Sequence, residues 1–168
     1  MLAASAWEAL FAVASDPQIW AGHPASDRWQ EPVFRNYFAA AMASGGALVA
    51  VDAGTQAVNG ASRHDSERVE AGEIELGWTF LAHARRGGGA NAAMKALVIG
   101  YALDYYPQVM CFVGAANIRS QRAMAKIGGV LTGRQPAPLV DGVAVPHVVF
   151  AIDRAGFANG PLRQSRPA

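Results

Sequence analysis

The chain has a single cysteine, no apolar run of membrane-spanning length and no excess of either charge. It also has no set of residues spaced as metal ligands. Each absence removes a class of function. One thiol cannot build a disulfide framework or a thiolate metal site. Cys111 lies inside the apolar run Val109-Met110-Cys111-Phe112-Val113, which predicts a buried thiol and fits a reducing cytoplasm. Without His, Cys or carboxylate clusters at ligand spacing, no metal is expected. A formal net charge of +1, with acids and bases interspersed, leaves no broad footprint for nucleic acid or an anionic membrane surface. Any anion site must therefore be local. The first fifteen residues lack the basic start and small-residue cleavage pattern of a secretory leader, and Glu8 breaks their apolar character, so a soluble protein is expected.

What is present is 168 residues, 52% of them hydrophobic, enough for one domain with a substantial core over residues 1–154 and a frayed tail over 155–168. Trp7, Leu10, Phe11 and Ala14 recur at helical spacing up to Asp16-Pro17. A second helix is expected from Pro32, burying Val33, Phe34, Tyr37, Phe38 and Met42 before Gly45-Gly46 stops it. The connection between them holds Trp20, His23, Arg28 and Trp29, unusually aromatic for a loop. It reads either as a minor hydrophobic cluster or as the lining of a substrate pocket. From Ala47 the period changes: residues 47–51 and about 56–61 read as a hairpin around Asp52-Ala53-Gly54.

The clearest strand is 73–81, with Ile74, Leu76, Trp78 and Phe80 on one face and the carboxylates of Glu73 and Glu75 sharing the other. Beyond it, Met94, Leu97, Val98, Tyr101, Ala102 and Tyr105 follow the spacing of a core-facing helix that Pro107 ends. An apolar strand spans 109–113. Asn117 is a suitable N-cap for a helix running to Ile127, where Gly128-Gly129 stop it. Closing strands are expected at 130–132 and 144–153, with Pro146 marking an edge or bulge. His64 and His83 read as surface loop residues and His147 as an ordinary strand residue. There is no internal repeat, and the order of elements predicts a mixed α/β layer fold rather than a doubly wound sheet.

Between strand and helix stands Arg85-Arg86-Gly87-Gly88-Gly89-Ala90-Asn91. A helix start leaves backbone N–H groups unpaired and its dipole favours negative charge, while glycines let an oxyanion come close. The stretch looks like a phosphate cradle. A P-loop would need Gly-Lys-Ser/Thr at its end, which Ala90-Asn91 cannot supply. Gly87-x-Gly89-x-x-Ala92 meets a loose dinucleotide fingerprint, but no regular βαβ unit accompanies it. A glycine-rich connection with no ligand is the remaining reading.

The stretches "ELGWTFLAHARRGGGANAAMKAL" and "VGAANIRSQRAMAKIGGVLTG" resemble the GNAT N-acetyltransferase superfamily, in particular its branch of ribosomal-protein N-terminal acetyltransferases. The resemblance covers about residues 16–153. The pyrophosphate motif is met by Arg85 to Ala90, and the downstream motif by Asn117-x-x-Ser120 followed by Ala123-Met124-x-Lys126-Ile127-Gly128. It implies a GNAT-like α/β (α+β) fold with a mixed, mainly antiparallel central sheet and helices on both faces. Relatives begin with a strand before the first helix; this chain opens in helical sequence, so that edge strand is either missing or the start given is late, and a homodimer could cover an exposed edge.

By the same resemblance the protein would transfer acetyl from acetyl-coenzyme A to a primary amine, with no metal, nucleic acid or membrane partner. The amides of about Arg86 to Asn91, with Arg85, would hold the pyrophosphate, and Asn117 would contact the cofactor arm. A backbone N–H near Phe80 or Leu81 would polarise the thioester carbonyl. Ser120 would donate to the departing sulfur, although a plain helix-capping role would explain it as well. An amine that is protonated at neutral pH needs a base. Glu75 is the first candidate, directly or through water, and Glu73 the alternative; both could equally be solvated carboxylates. The acceptor would lie against Trp20, His23, Arg28, Trp29 and Glu73. The rival reading is a non-catalytic acyl-coenzyme A binding or regulatory module of the same fold.

Overall fold

In a computed structural model that describes residues 1–86, 89–140 and 143–165, the chain divides into two compact units. The first comprises Met1–Asp65 and Gly77–Asn91. Its helix α1 (Trp7–Ala14) follows a 3-10 turn, and Leu2 donates its N–H to the Ala47 carbonyl at 2.8 Å. A short helix α2 (Pro17–Trp20), which periodicity does not reveal, is started by the Asp16 carboxylate accepting from the Gln18 N–H, with Pro17 in the first turn. Helix α3 (Glu31–Ala43) likewise has a proline in its first turn and ends where Gly45 takes a φ of 66°.

Strands β1 (Ala47–Val51) and β2 (Val58–Asp65) form the expected hairpin, antiparallel from Ala47↔Arg63 to Val51↔Val58. The Asp52 side chain closes its turn by accepting from the N–H groups of Gly54 and Thr55. β2 runs four residues past the expected Ala61, because the His64 N–H finds the Gly46 carbonyl at 3.0 Å and prolongs the ladder. His64 is thus a strand residue, not a loop residue.

Leu10, Ala14, Ile19, Trp20, Phe34, Ala61 and Phe80 make the core of this unit. Phe34 is fully buried, with ring contacts to Trp7, Phe11, Tyr37 and Phe80.

Strand β3 (Glu73–Leu81) contributes Gly77–Leu81 to the first unit and its earlier residues to the second. The second unit, Ser66–Leu76 with Ala92–Ala168, holds most of helix α4 (Ala90–Tyr105). Strand β4 (Gln108–Gly114), helix α5 (Ile118–Lys126) and strand β5 (Val130–Leu131) follow. Next come a separate two-stranded hairpin, β6 (Leu139–Val140) with β7 (Val143–Ala144), then strand β8 (His147–Asp153) and helix α6 (Arg154–Asn159). The central sheet has the order β1-β2-β3-β4-β8-β5. β3 pairs with β4 in parallel over Glu73–Glu75, whereas β4–β8 and β5–β8 are antiparallel. This is the mixed sheet flanked by helices that the resemblance implies. No helix among the described residues is long and apolar enough to cross a membrane.

Further expectations change, among them Met42 on α3, which is 39% exposed rather than buried. On α4, Leu97, Tyr101 and Tyr105 point outward, 51%, 56% and 68% exposed, while Lys95, Ile99, Gly100 and Leu103 are buried instead. The reason is close approach at a small residue: the Phe157 ring sits 3.1 Å from where a Cβ on Gly100 would be, so the covered face is rotated from the one the aromatics suggest. The closing strand is interrupted at Val145-Pro146, since proline has no N–H to give to the ladder. Over the residues expected to form a tail, the described chain continues in α6 and a 3-10 turn. Asp153 caps α6 by accepting from the Gly156 N–H, and Leu162, in a 3-10 turn over Pro161–Ser165, is buried.

Candidate functional site

β3 runs through Ala82 and a 3-10 turn (His83–Arg85) to the start of α4 at Ala90. Gly87 and Gly88 lie outside the described residues. Gly89 adopts a φ of 80°, which an L side chain rarely takes, and no atom lies within 4 Å of where its Cβ would stand. The 16-residue helix α4 begins at the next residue, and the first-turn N–H groups of a helix lack intrahelical acceptors, which suits them to an oxyanion. The two arginines are tied down. Arg86 donates to the carbonyls of Gln18 (2.9 Å) and Ile19 (2.6 Å), satisfying acceptors at the end of α2. Arg85 pairs with Asp52 at 3.0 Å and donates to Asn59 Oδ1 at 3.2 Å. Their visible work is to fix the turn that presents the backbone.

Upstream, β3 carries a distortion that no sequence signal announces. Trp78 has a φ of 49°, an outlier for a bulky residue and a kind of strain that clusters at functional sites. Its carbonyl accepts from the Tyr37 hydroxyl at 2.8 Å, and its ring lies 3.5 Å from the Arg63 guanidinium carbon. Burial pushes the Tyr37 phenol up to about 12, so it remains a neutral donor. Next to the distortion, the hydroxyls of Ser62 and Thr79 are 2.7 Å apart.

The aromatic connection divides. Trp20 is a core residue, 2% exposed, its indole N–H held by the Ala14 carbonyl at 2.7 Å. Trp29 is exposed. His23 meets the Trp20 ring edge-on, and its Nδ1 accepts from the Ala25 N–H, which puts the proton of the neutral ring on Nε2. Arg28 lies between the rings of Trp20 (5.2 Å) and Tyr37 (4.9 Å).

In the second unit both β3 carboxylates are buried and paired. Glu75, 1% exposed, is held at both oxygens by Arg68, whose Nε donates at 2.9 Å and whose guanidinium lies over the Phe112 ring. Glu73 is gripped by Arg134 through two bonds of 2.9 Å and accepts a third from the Glu70 N–H. Neither arginine stands out in the sequence. Each lies in an irregular segment, where no period marks which side chain turns inward.

Hydrogen bonds from Arg134 hold the Glu73 carboxyl below the usual carboxylate range. The folded form therefore binds this proton less readily than the unfolded chain. The pairing stabilises the protein above the unfolded value of about 4.3, and that contribution is lost as pH falls through the folded value. Arg134→Ala is expected to lower Tm near neutrality and to shrink the acid-induced loss of Tm below about pH 4.3. Thermal unfolding across an acid series checks both.

Asn117 is buried, and its Oδ1 caps α5 by accepting from the Ser120 N–H at 3.1 Å. The Ser120 hydroxyl is half-buried and makes no hydrogen bond among the described residues. Cys111 is buried as expected; burial pushes its thiol up and the ammonium of Lys95, on α4, down. Among the described residues no group of His, Cys, Asp and Glu side chains could hold a metal ion.

Comparison with known proteins adds the family. A search of curated proteins finds no match. Among solved structures, the chain is similar to a probable GNAT-family acetyltransferase from Chromobacterium violaceum, with 21% identity over 93% of this chain and 82% of that one and a TM-score of 0.76. It is also similar to Mycobacterium smegmatis RimJ in complex with CoA-disulfide (17% identity, 97% and 84% covered, TM-score 0.71). A third is Vibrio cholerae spermidine N-acetyltransferase in complex with CoA and spermine (12% identity, 94% and 95% covered, TM-score 0.67). At these identities the likeness speaks for the fold. The model of the acetyltransferase (GNAT) domain matches residues 2–130, well over half of the chain, and the protein therefore belongs to the GNAT acetyltransferase family.

Proposed function

We propose that the protein is an acetyl-coenzyme A dependent N-acetyltransferase that passes the acetyl group directly to a primary amine within a ternary complex. The observation that carries this reading is the start of α4: a left-handed Gly89, with room at its Cβ position, leading into a long helix at the position of the family's pyrophosphate motif. The backbone from Arg86 to Asn91 would hold the diphosphate, with Arg85 and Arg86 setting the turn, and Asn117 would meet the cofactor arm. When bound, acetyl-coenzyme A supplies an activated acetyl thioester.

The chain's own residues would then do three things. Glu75, fixed by Arg68, accepts the amine's proton directly or through a water, with Glu73 as the alternative. A backbone N–H of β3 near Phe80 or Leu81 stabilises charge developing on the carbonyl oxygen. The Ser120 hydroxyl donates a proton or hydrogen bond to the departing sulfur. The acceptor side would be formed by His23, Arg28 and Trp29, with Trp20 packed against His23 and Arg28. Resemblance to the ribosomal branch favours a protein N-terminus as acceptor, beside small-molecule amines. The buried thiol accords with a reducing cytoplasm.

Incubating the protein with acetyl-coenzyme A and a panel of amines, and following free thiol, is expected to reveal amine-dependent turnover above hydrolysis. If no amine exceeds that background while coenzyme A still binds, the non-catalytic binding module is the better description.

A further inference from the structure

Arg35, Arg63 and Arg85 in the first unit each pair with a carboxylate. Arg28 forms no ion pair and no hydrogen bond among the described residues; only the faces of Trp20 and Tyr37 hold it. Its guanidinium is partly withdrawn from water, and its five directed N–H donors meet no acceptor among the described residues. Beside it, Arg63 on β2 is close enough for its charge to be felt at both Arg28 and Tyr37. Arg63 is buried; it pairs with Asp65 at 3.4 Å, yet its Nε has no hydrogen-bond partner. Buried donors without acceptors are rare in native structures and call for an explanation.

We propose that Arg28, clamped between Trp20 and Tyr37 and backed by Arg63, is the docking point for a carboxylate carried by the amine acceptor. This rests on the reading of the protein as an amine acetyltransferase. The chemistry selects the class. A planar guanidinium fork matches a carboxylate bidentately. Asp65 pairs with Arg63, and the charge of Asp27 is felt at Arg28, but neither carboxylate takes up the Arg28 donors. The cluster is also anchored to the distorted part of β3, because Tyr37 bonds the Trp78 carbonyl and Arg63 lies on the Trp78 ring. A carboxylate held here would set the acceptor's position relative to that strand.

The carboxylate could be the α-carboxylate of a free amino acid or the acidic first side chain of a peptide, and matched pairs separate the two. One arm compares glycine and leucine with glycinamide and leucinamide. The other compares peptides beginning Asp or Glu with those beginning Asn or Gln. In one arm the wild-type kcat/KM is expected to favour the acidic member by about 10- to 100-fold, the worth of a charge-assisted pair, after correction for amine ionisation. Arg28→Gln is expected to bring that ratio close to one, and Arg28→Lys, which keeps charge without the fork, to an intermediate value.

A wild-type ratio near one in both arms overturns the proposal, as does a preference that survives in Arg28→Gln. Should no amine be acetylated, the enzyme reading fails separately. The site is then tested by quenching of tryptophan fluorescence with N-acetylglycine against N-acetylglycinamide. Tighter binding of the acid, lost in Arg28→Gln, supports the site, and equal binding overturns it.

Discussion

Replacing Glu75 by glutamine is expected to lower kcat by about 10²- to 10⁴-fold, the usual worth of a positioned general base, while leaving affinity for coenzyme A near that of the wild type. Glutamine keeps the shape of the side chain and one oxygen for Arg68, so the change chiefly removes charge and proton-accepting capacity. Glu75 is buried against Arg68, and losing half of that pairing also destabilises the fold. Turnover should therefore be measured well below the variant's Tm and alongside coenzyme A binding. Ser120→Ala is the companion: its side chain donates nothing to the fold among the described residues, so a fall in turnover reports chemistry rather than stability. An E75Q protein that folds, binds coenzyme A and turns over within about threefold of the wild type would remove Glu75 as the base.

The largest stability effect is expected at Gly60, on β2. A Cβ there would stand 2.0 Å from the Phe80 carbonyl oxygen, with the Phe80 carbonyl carbon at 2.9 Å and the Leu81 Cα at 3.0 Å, and φ is 154°. The obstacle is backbone, which cannot swing aside as a side-chain tip can. Gly60→Ala must either push β2 from the end of β3 or break the ladder. A loss of about 4 kcal/mol or more is expected from overpacking and backbone strain together. For a chain of this size that is a fall in Tm of roughly 8–16 °C, readable by calorimetry or circular dichroism. A variant within about 2 °C of the wild type would mean that the close approach of Gly60 to Phe80 is not required.

The two positions illustrate what can be read from sequence. Gly60 sits in a short polar strand beside Asn59 and Ala61, where nothing marks it as the residue over which another strand's carbonyl lies. The carboxylates of β3 were evident as candidates, but their surroundings were not. Strand alternation put Glu73 and Glu75 on one face and left open whether that face met water. Both are buried, because Arg68 and Arg134 reach them from irregular segments. The aromatics of α4 mislead for a related reason. Helical spacing shows that Leu97, Tyr101 and Tyr105 share a face, but which face the fold covers depends on Phe157 reaching Gly100 from α6. The Arg28 clamp needs Tyr37 and Arg63, one on α3 and one on β2, and no spacing rule connects them.

By itself, the sequence determined the elements whose signals are local. These are the hairpin around Asp52, strand β3, the glycine-led start of α4, the Asn117 cap of α5, and through the motifs at Arg85–Ala90 and Asn117–Gly128 the family itself. Period, turn residues and caps act over a few positions, so they can be read along the chain. Only the tertiary structure decided which charges are buried and who pairs with them, the left-handed Trp78, the forced glycine at 60 and the unanswered donors of Arg28. Those depend on contacts between residues far apart in sequence, where burial and the search for hydrogen-bond partners, rather than local propensity, settle the outcome.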